Sequence, residues 1–506
     1  MLFRRAVFII GLGTLLLSGS ITRPLFAAPA DEPVARVHWL GLNTISTDTN
    51  AAAFLKVWHL SQTTALVAQT LDKLSRWPGH GVTNAASARL RPLLDDLINS
   101  EFYLEVYPPT NPQSTNGQVS GFRSKVSGFS LALRLPPDRA RLWQTNLPTA
   151  LPSVKISQSG DWTLVSLGSD TNLSPSASAF LVAHRPAPTA CTNWFTADFA
   201  PAALSAFRFP LSAFFSQLSG LKFQVSGASG ELLTHATLDF SQPLPVTLPP
   251  WEIPTNLIHA PLTSFTALRG FGPWLATLPV WKNLQFSYTP DQAFFWAQTG
   301  VPFQTYFATP LPGASNQLSQ LAVGLVQKAN PWLATNGEGN FVWRANPPEI
   351  LWNGALLFAP FLKPVNFHQQ DYVLGGLAAF PEDNSNPMPD QLLHRILGIP
   401  NLAYYHFEHT GDRVEEGLFI LQLFRVVFHK SQLPMSSVSS AWLKKIELLL
   451  GDSRTLVTQT GPEQLTMTRT STVGLTAIEL HLLSDWLESP QFPRGLHTFL
   501  APPDKL

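Results

Sequence analysis

The sequence predicts an α+β protein whose mixed, mostly antiparallel sheets pack against helices. Three observations predict it. Short runs alternating apolar and polar residues recur, among them "EFYLEVY" (101–107) and "FSLALRL" (129–135), at the two-residue period of a strand. Stretches with an apolar stripe at helical spacing lie between them, such as 64–74 with Leu66, Leu71 and Leu74. Apolar residues make up 45% of the 506, with 15 Trp, 7 Tyr and 34 Phe, enough to build large cores and to exclude a disordered chain.

The elements follow in order. "ARVHWLGLNTI" (35–45) reads as a first strand, and cap-type residues at 46–49 precede an Ala-rich helical stretch. Helices are expected at 64–74 and 85–98, a half-buried strand at 101–107 and another at 129–135. A short helix over "DRARLWQTNL" and a strand over "DWTLVSLG" (161–168) come next. From 191 the order repeats in looser form: strand "CTNWFTADF", short helix "PAALSAFRF", then a hairpin over "LKFQVSGASGELLTHATLDF" turning at Gly227–Gly230.

The segment "SQPLPVTLPPWEIPTN" (241–256) is dense in proline, which lacks a ladder donor and restricts the residue before it. It reads as a linker or a rigid extended crossing. The expected organisation is therefore a signal peptide at 1–30, an N-terminal α+β domain at 31–240, the Pro-rich linker at 241–256 and a C-terminal α+β domain at 257–506.

Strands "LQFSYTP", "FQTYFATP", "GNFVWRANP", "EILWNGALLFAP" and "DYVLGGLAAF" are expected beyond the linker. Residues 414–429 are apolar on most sides and read as a buried helix, with Asp412 as its cap and Glu415 and Glu416 in its first turn. "SSAWLKKIELLLG" is a helix stopped by Gly451, and 453–469 a hairpin turning near Gly461–Pro462. The helix 476–488 opens with a Thr476/Glu479 capping box and carries Ile478, Leu482, Leu483, Trp486 and Leu487 on one stripe.

The first thirty residues have the layout of an export signal: Arg4 and Arg5, an apolar run from Ala6 to Leu17, and small residues at Ala28 and Ala30. Twelve residues at about 1.5 Å each fall short of a bilayer core of roughly 30 Å, so cleavage is expected and a stable span is not. Without residues 1–30 the chain holds 30 basic and 33 acidic residues, a formal charge of −3. It has no basic run, so nucleic acid is not an expected partner. The single cysteine, Cys191, excludes an internal disulfide and reads as a small buried hydrophobe.

"NLAYYHFEHTGDRVEE" (401–416) is the richest stretch in ligand-type side chains. On a strand His406 and Glu408 share a face with Tyr404, while His409 joins Tyr405 and Phe407. The three do not converge, and a pair on one strand is short of the three protein ligands a metal site needs. His368, His394 and His429 are the remote residues able to complete one. The expectation is a structural strand, with Tyr405 and Phe407 toward a core and Tyr404, His406 and Glu408 toward the rim.

Asp95 and Asp96 point in different directions on a helix, and His481 with Asp485 forms a solvated i,i+4 pair. No GxSxG, HExxH, CxxC, P-loop or GxGxxG motif occurs in the mature region. No catalytic, cofactor-binding or metal residue is therefore assigned, and no cofactor. Aromatic density peaks at 271–300, with Trp274, Trp281 and Trp296, which suits either core packing or a binding groove.

Residues 401–416, "LTMTRTSTVGLTAIELHLLSDWLESPQFP" and the early "VHWLGLNTISTDTNAAAFLKVW" together resemble a family of exported bacterial proteins of the Verrucomicrobia type. The resemblance covers most of the mature chain and implies export and a shared fold; it carries no activity and no site residue. The functional expectation is a non-catalytic secreted or periplasmic envelope protein with a binding or scaffolding role. Its partner would be another envelope protein, a polysaccharide or an apolar ligand. A hydrolase with dispersed catalytic residues and a carrier of an apolar ligand are the alternatives. A deep pocket with convergent polar groups marks the first, a closed apolar cavity the second, and an open aromatic patch the binding protein.

Overall fold

The computed structural model describes residues 33–76, 84–107, 128–168, 193–201, 217–278, 281–282, 287–298, 304–331, 334, 339–354, 359–380, 386–428, 437–489 and 492–493. The signal segment, Cys191, His429 and the helix expected at "PAALSAFRF" lie outside the described residues, apart from the first residue of that helix. The fold is α+β, with strand content slightly ahead of helix, and every strand pairing with a defined register is antiparallel.

The chain divides into two compact units, one of Met1–Gln242, Phe424–Gly451 and Thr468–Leu506, the other of Pro243–Leu423 and Asp452–Met467. A single cut at 241–256 does not provide for the exchange of the later segments, because composition marks breaks along the chain and not returns in space.

Along the chain the elements are β1 (Ala35–Trp39), α1 (Leu42–Ile45), α2 (Ala52–Trp58), α3 (Ser61–Arg76), α4 (Asn84–Asn99), β2 (Phe102–Tyr107), β3 (Gly128–Arg134), α5 (Pro137–Ala150), β4 (Val154–Ser159), β5 (Trp162–Gly168), β6 (Asn193–Phe199), β7 (Leu218–Ala228) and β8 (Glu231–Phe240). Then come β9 (Leu262–Arg269), α6 (Gly272–Leu275), β10 (Gln292–Gln298), β11 (Thr305–Pro310), α7 (Ala314–Gly324), β12 (Asn340–Ala345), β13 (Pro348–Asn353), β14 (Phe361–Phe367), β15 (Gln370–Gly376), α8 (Asp390–Leu397) and β16 (Leu402–His409). The chain closes with α9 (Thr410–Phe428), α10 (Val438–Ile446), β17 (Asp452–Gly461), β18 (Gln464–Ser471) and α11 (Ala477–Glu488).

In the first unit the sheet runs β4–β5–β3–β2–β1–β6–β7–β8. The β7–β8 turn forms where the sequence places it, at Ser229 and Gly230, both with positive φ as a two-residue hairpin requires. A helical layer of α5, α4, α3, α10 and α11, each packed on the next, belongs to this unit. β2 departs from the half-buried expectation: all six of its residues are buried, because Glu105 is satisfied by Arg36 and the Tyr107 hydroxyl.

The second unit repeats this topology. Its sheet runs β12–β13–β14–β15–β11–β10–β9–β16–β17. Placing β9 on β1 carries β10 onto β2, β11 onto β3, α7 onto α5, β14 and β15 onto β4 and β5, β16 onto β6 and β17 onto β7. The β12–β13 hairpin is the addition.

The register supports the match residue by residue. Val37 pairs with Leu104 and Ala197, and its counterpart Thr266 pairs with Phe295 and His406. Both β6 and β16 carry a register shift at the same point, between Asn193 and Phe195 and between Leu402 and Tyr404. Both first strands are followed by a glycine at positive φ, Gly41 at 84° and Gly270 at 80°, where a Cβ would clash with packed neighbours.

The Pro-rich segment is the rigid crossing and not a free linker, and its residues from Pro243 on belong to the second unit. The Gln292 side chain pairs with it as a strand would, accepting from Glu252 N–H at 2.9 Å and donating to Pro250 C=O at 2.8 Å. Arg269 stacks on Trp251, 4.4 Å from the ring centroid. At the far side of the sheet, Asn330 occupies the outer backbone groups of Phe341 on β12, donating to its carbonyl and accepting from its N–H. That side chain blunts an otherwise exposed edge.

Three expectations for the late helices are corrected. α9 starts at Thr410, directly from β16, so Asp412 lies inside its first turn and does not precede it as a cap. Phe419 on that helix is 47% exposed, so its described part is not buried on all sides. α11 buries Leu480, Leu483, Trp486 and Leu487, but Ile478 is 69% exposed and falls off the stripe.

Candidate functional site: an open aromatic groove on the second sheet

β10 alternates across its sheet. Phe294 and Trp296 enter the core with Phe265, Tyr306, Leu374 and Tyr405, while Phe295 faces the other way and is 41% exposed. On this outer face Phe295 meets Phe307 of β11, with ring centroids 6.0 Å apart. The Phe307 ring packs against Gly375 of β15: a Cβ at Gly375 would stand 2.2 Å from its Cε1. Glycine is thus what lets the ring fold down onto the sheet.

The result is a groove of about 280 Å³ whose lining includes Phe295, Phe307, Phe341, Trp352, Leu362 and Leu377 and reaches the core residues Tyr306 and Phe361. Its lining contains no charged residue, and Leu377 at its mouth is 40% exposed.

A polar row continues from Phe295 along the same face. Thr266, opposite Phe295 on β9, bonds His406 Nδ1 through its hydroxyl at 2.8 Å. His406 Nε2 meets Glu408 Oε2 at 3.2 Å. With the hydroxyl donating to Nδ1 and Nε2–H donating to the carboxylate, the imidazole has no ring nitrogen left for a substrate. Glu408 is 4% exposed, so it is a buried group and not the rim residue expected. On α9, burial pushes the Glu416 carboxyl up, against the pull of its ion-pair partner Arg413.

The remaining sequence candidates do not converge. His409 turns to the opposite face, with Nδ1 2.7 Å from Asp452 and its ring edge-on to Phe407. His368 sits in the β14–β15 turn and His394 on α8. No group of three or more His, Cys, Asp or Glu with metal-binding spacing exists among the described residues. Asp95 pairs with Arg91, while Asp96 turns to Arg139 and Trp143 of α5. His481 and Asp485 are half-buried, which corrects the solvated pair. Of the three tryptophans, Trp296 is core and Trp281 bonds Thr289. Phe295, between two core residues, is the one the sequence reading passed over.

The first unit shows what this face is in its other copy. The counterparts of Thr266, Phe295, Phe307, Gly375 and His406 are Val37, Leu104, Leu131, Val165 and Ala197, and all five are buried. One copy has a sealed aliphatic face; the other has a glycine under Phe307 and leaves Phe295 exposed and Phe307 half-buried. No protein family, no curated protein and no solved structure matches this chain.

Proposed function

We propose that the protein is a non-catalytic, exported binding protein of the cell envelope that captures an apolar group of its partner in the Phe295–Phe307 groove. The observation carrying this reading is Phe295, an exposed ring on an uncharged aromatic floor, at a position whose counterpart Leu104 is buried. Exposed aromatic patches of this kind mark interaction sites. The groove is open to solvent, which favours binding of a protruding group over carriage of an enclosed ligand.

Titration with anilinonaphthalenesulfonate tests it. The intact chain should bind the dye with enhanced fluorescence, and Phe295→Ser should weaken binding about tenfold, or about 1.4 kcal/mol. Equal binding by both proteins overturns the site. Export rests on the first thirty residues and is tested separately. N-terminal sequencing of the mature protein should begin after Ala28 or Ala30, and an intact Met1 on the envelope-associated form refutes it.

A further inference from the structure

In the first unit, the face equivalent to the groove is buried, and helices lie on its side of the sheet. Next to α5 on that face lies α4. Arg139 and Trp143 of α5 both bind Asp96 of α4, at 2.9 and 2.8 Å, and Asn146 of α5 donates to the Arg89 carbonyl at 3.2 Å. Trp39, on the same sheet face as Val37, donates Nε1–H to the Ile98 carbonyl of α4 at 2.8 Å. α4 thus links α5 to β1 on this side of the sheet, and its Leu90, Leu93 and Ile98 are buried.

In the second unit α7 takes the place of α5, with Leu318 and Ala322 packed on Ile350 and Val373. The helix beside it has no counterpart among the described residues. Residues 40–101 of the first unit carry α1 to α4 between the first two strands. Among the described residues, the corresponding stretch 270–291 holds the four-residue α6 and a helical pair at 281–282. The position that α4 fills in one copy is where Phe295, Phe307 and Leu377 stand open in the other.

We propose that this groove receives an amphipathic α-helix of a partner protein, seated on the second sheet as α4 is on the first. This rests on the reading of the groove as a binding site and names its occupant. The fold itself shows a helix to be the element that completes this face. The Phe307 ring packed against Gly375 gives an apolar floor, suited to side chains spaced i, i+3 and i+4 along one helical stripe. The lining carries no charge, so the helix would present uncharged polar residues beside its stripe, and binding would change little with salt.

The test uses the full chain and a blocked peptide of about eighteen Ala, Gln and Leu residues, long enough to form a helix, with its leucines on one stripe. A scrambled isomer of identical composition is the control. The striped peptide should bind one to one with a gain of helical circular dichroism. Phe295→Ser and Leu377→Ser, both surface changes, should each weaken it at least tenfold, and the scrambled isomer should bind at least tenfold more weakly. Equal binding of the two isomers, or binding without helix gain, overturns the helical occupant. If the dye still responds to Phe295→Ser in that case, the apolar site stands without it. If neither peptide nor dye responds to the variants, both proposals fall.

Discussion

Replacing Trp486 by alanine should lower the stability of the first unit by about 3–5 kcal/mol, a large share of a typical domain's total. Trp486 lies on the buried side of α11 and is 3% exposed. Its ring packs on Phe492 with centroids 4.8 Å apart, and its Nε1–H donates to the Pro493 carbonyl at 3.0 Å. α11 is itself tied into the helical layer: Lys73 of α3 donates to the Leu487 carbonyl at 2.6 Å, and Glu488 accepts from Ser439 N–H at 2.8 Å. A cavity under such a helix has little freedom to collapse, which places the cost toward the upper end of the range. Trp486→Phe keeps most of the volume and gives up the hydrogen bond, so a loss of about 1 kcal/mol is expected there. Urea unfolding of both variants beside the parent, with the slope unchanged, checks the pair. A change below about 0.5 kcal/mol for the alanine variant would mean the residue does not hold this helix in place.

What the sequence made legible were features whose signal is local. The Leu66, Leu71 and Leu74 stripe of α3, the β7–β8 hairpin and the Thr476/Glu479 box each depend on residues a few positions apart, and each forms as expected. The duplication was not legible, because it survives in backbone register while the side chains have changed chemistry. Val37 answers to Thr266, Ala197 to His406 and Phe199 to Glu408. The larger core also lies on the opposite face. In the first copy the Val37 side of the sheet is buried; in the second the larger core is built on the Phe265 and Tyr405 side, and the Val373 side holds the smaller cluster under α7. An alternating strand shows which residues share a face and never which face is inside.

Faint echoes of the duplication do exist in the sequence. "LPP" at 135–137 and "LPG" at 311–313 each lead from a strand into a helix, and Asp161–Trp162 and Asp371–Tyr372 open equivalent strands. The groove was hidden for a related reason. In the run Phe294, Phe295, Trp296 all three side chains are aromatic, and only the second points away from the core.

Removing Arg469 should cost about 3–5 kcal/mol near neutral pH, because it leaves a buried carboxylate without its partner. Arg469 donates to Glu479 through Nη1 at 2.6 Å and Nη2 at 3.2 Å, and also to the Gly474 carbonyl at 3.1 Å. Both side chains are almost sealed from solvent. Glu479 in turn accepts from Thr476 N–H at 2.9 Å as the reciprocal half of the capping box that starts α11. Burial alone would raise the Glu479 pKa; the Arg469 charge and these hydrogen bonds reverse that and hold it at about 2, below the ordinary 4.5. A carboxyl depressed in the folded state stabilises it above the unfolded pKa and loses that contribution as pH falls through the folded one. The window therefore runs from 4.5 down to about 2. Arg469→Met should be most destabilised near pH 7, and its deficit should shrink as acid protonates the stranded Glu479. Glu479→Gln keeps an amide acceptor for the cap and should flatten the dependence on acid. Urea unfolding at about pH 7 and about pH 3 separates these outcomes. A deficit for Arg469→Met that is the same at both would show that the pair does not couple the first turn of α11 to β18 through charge.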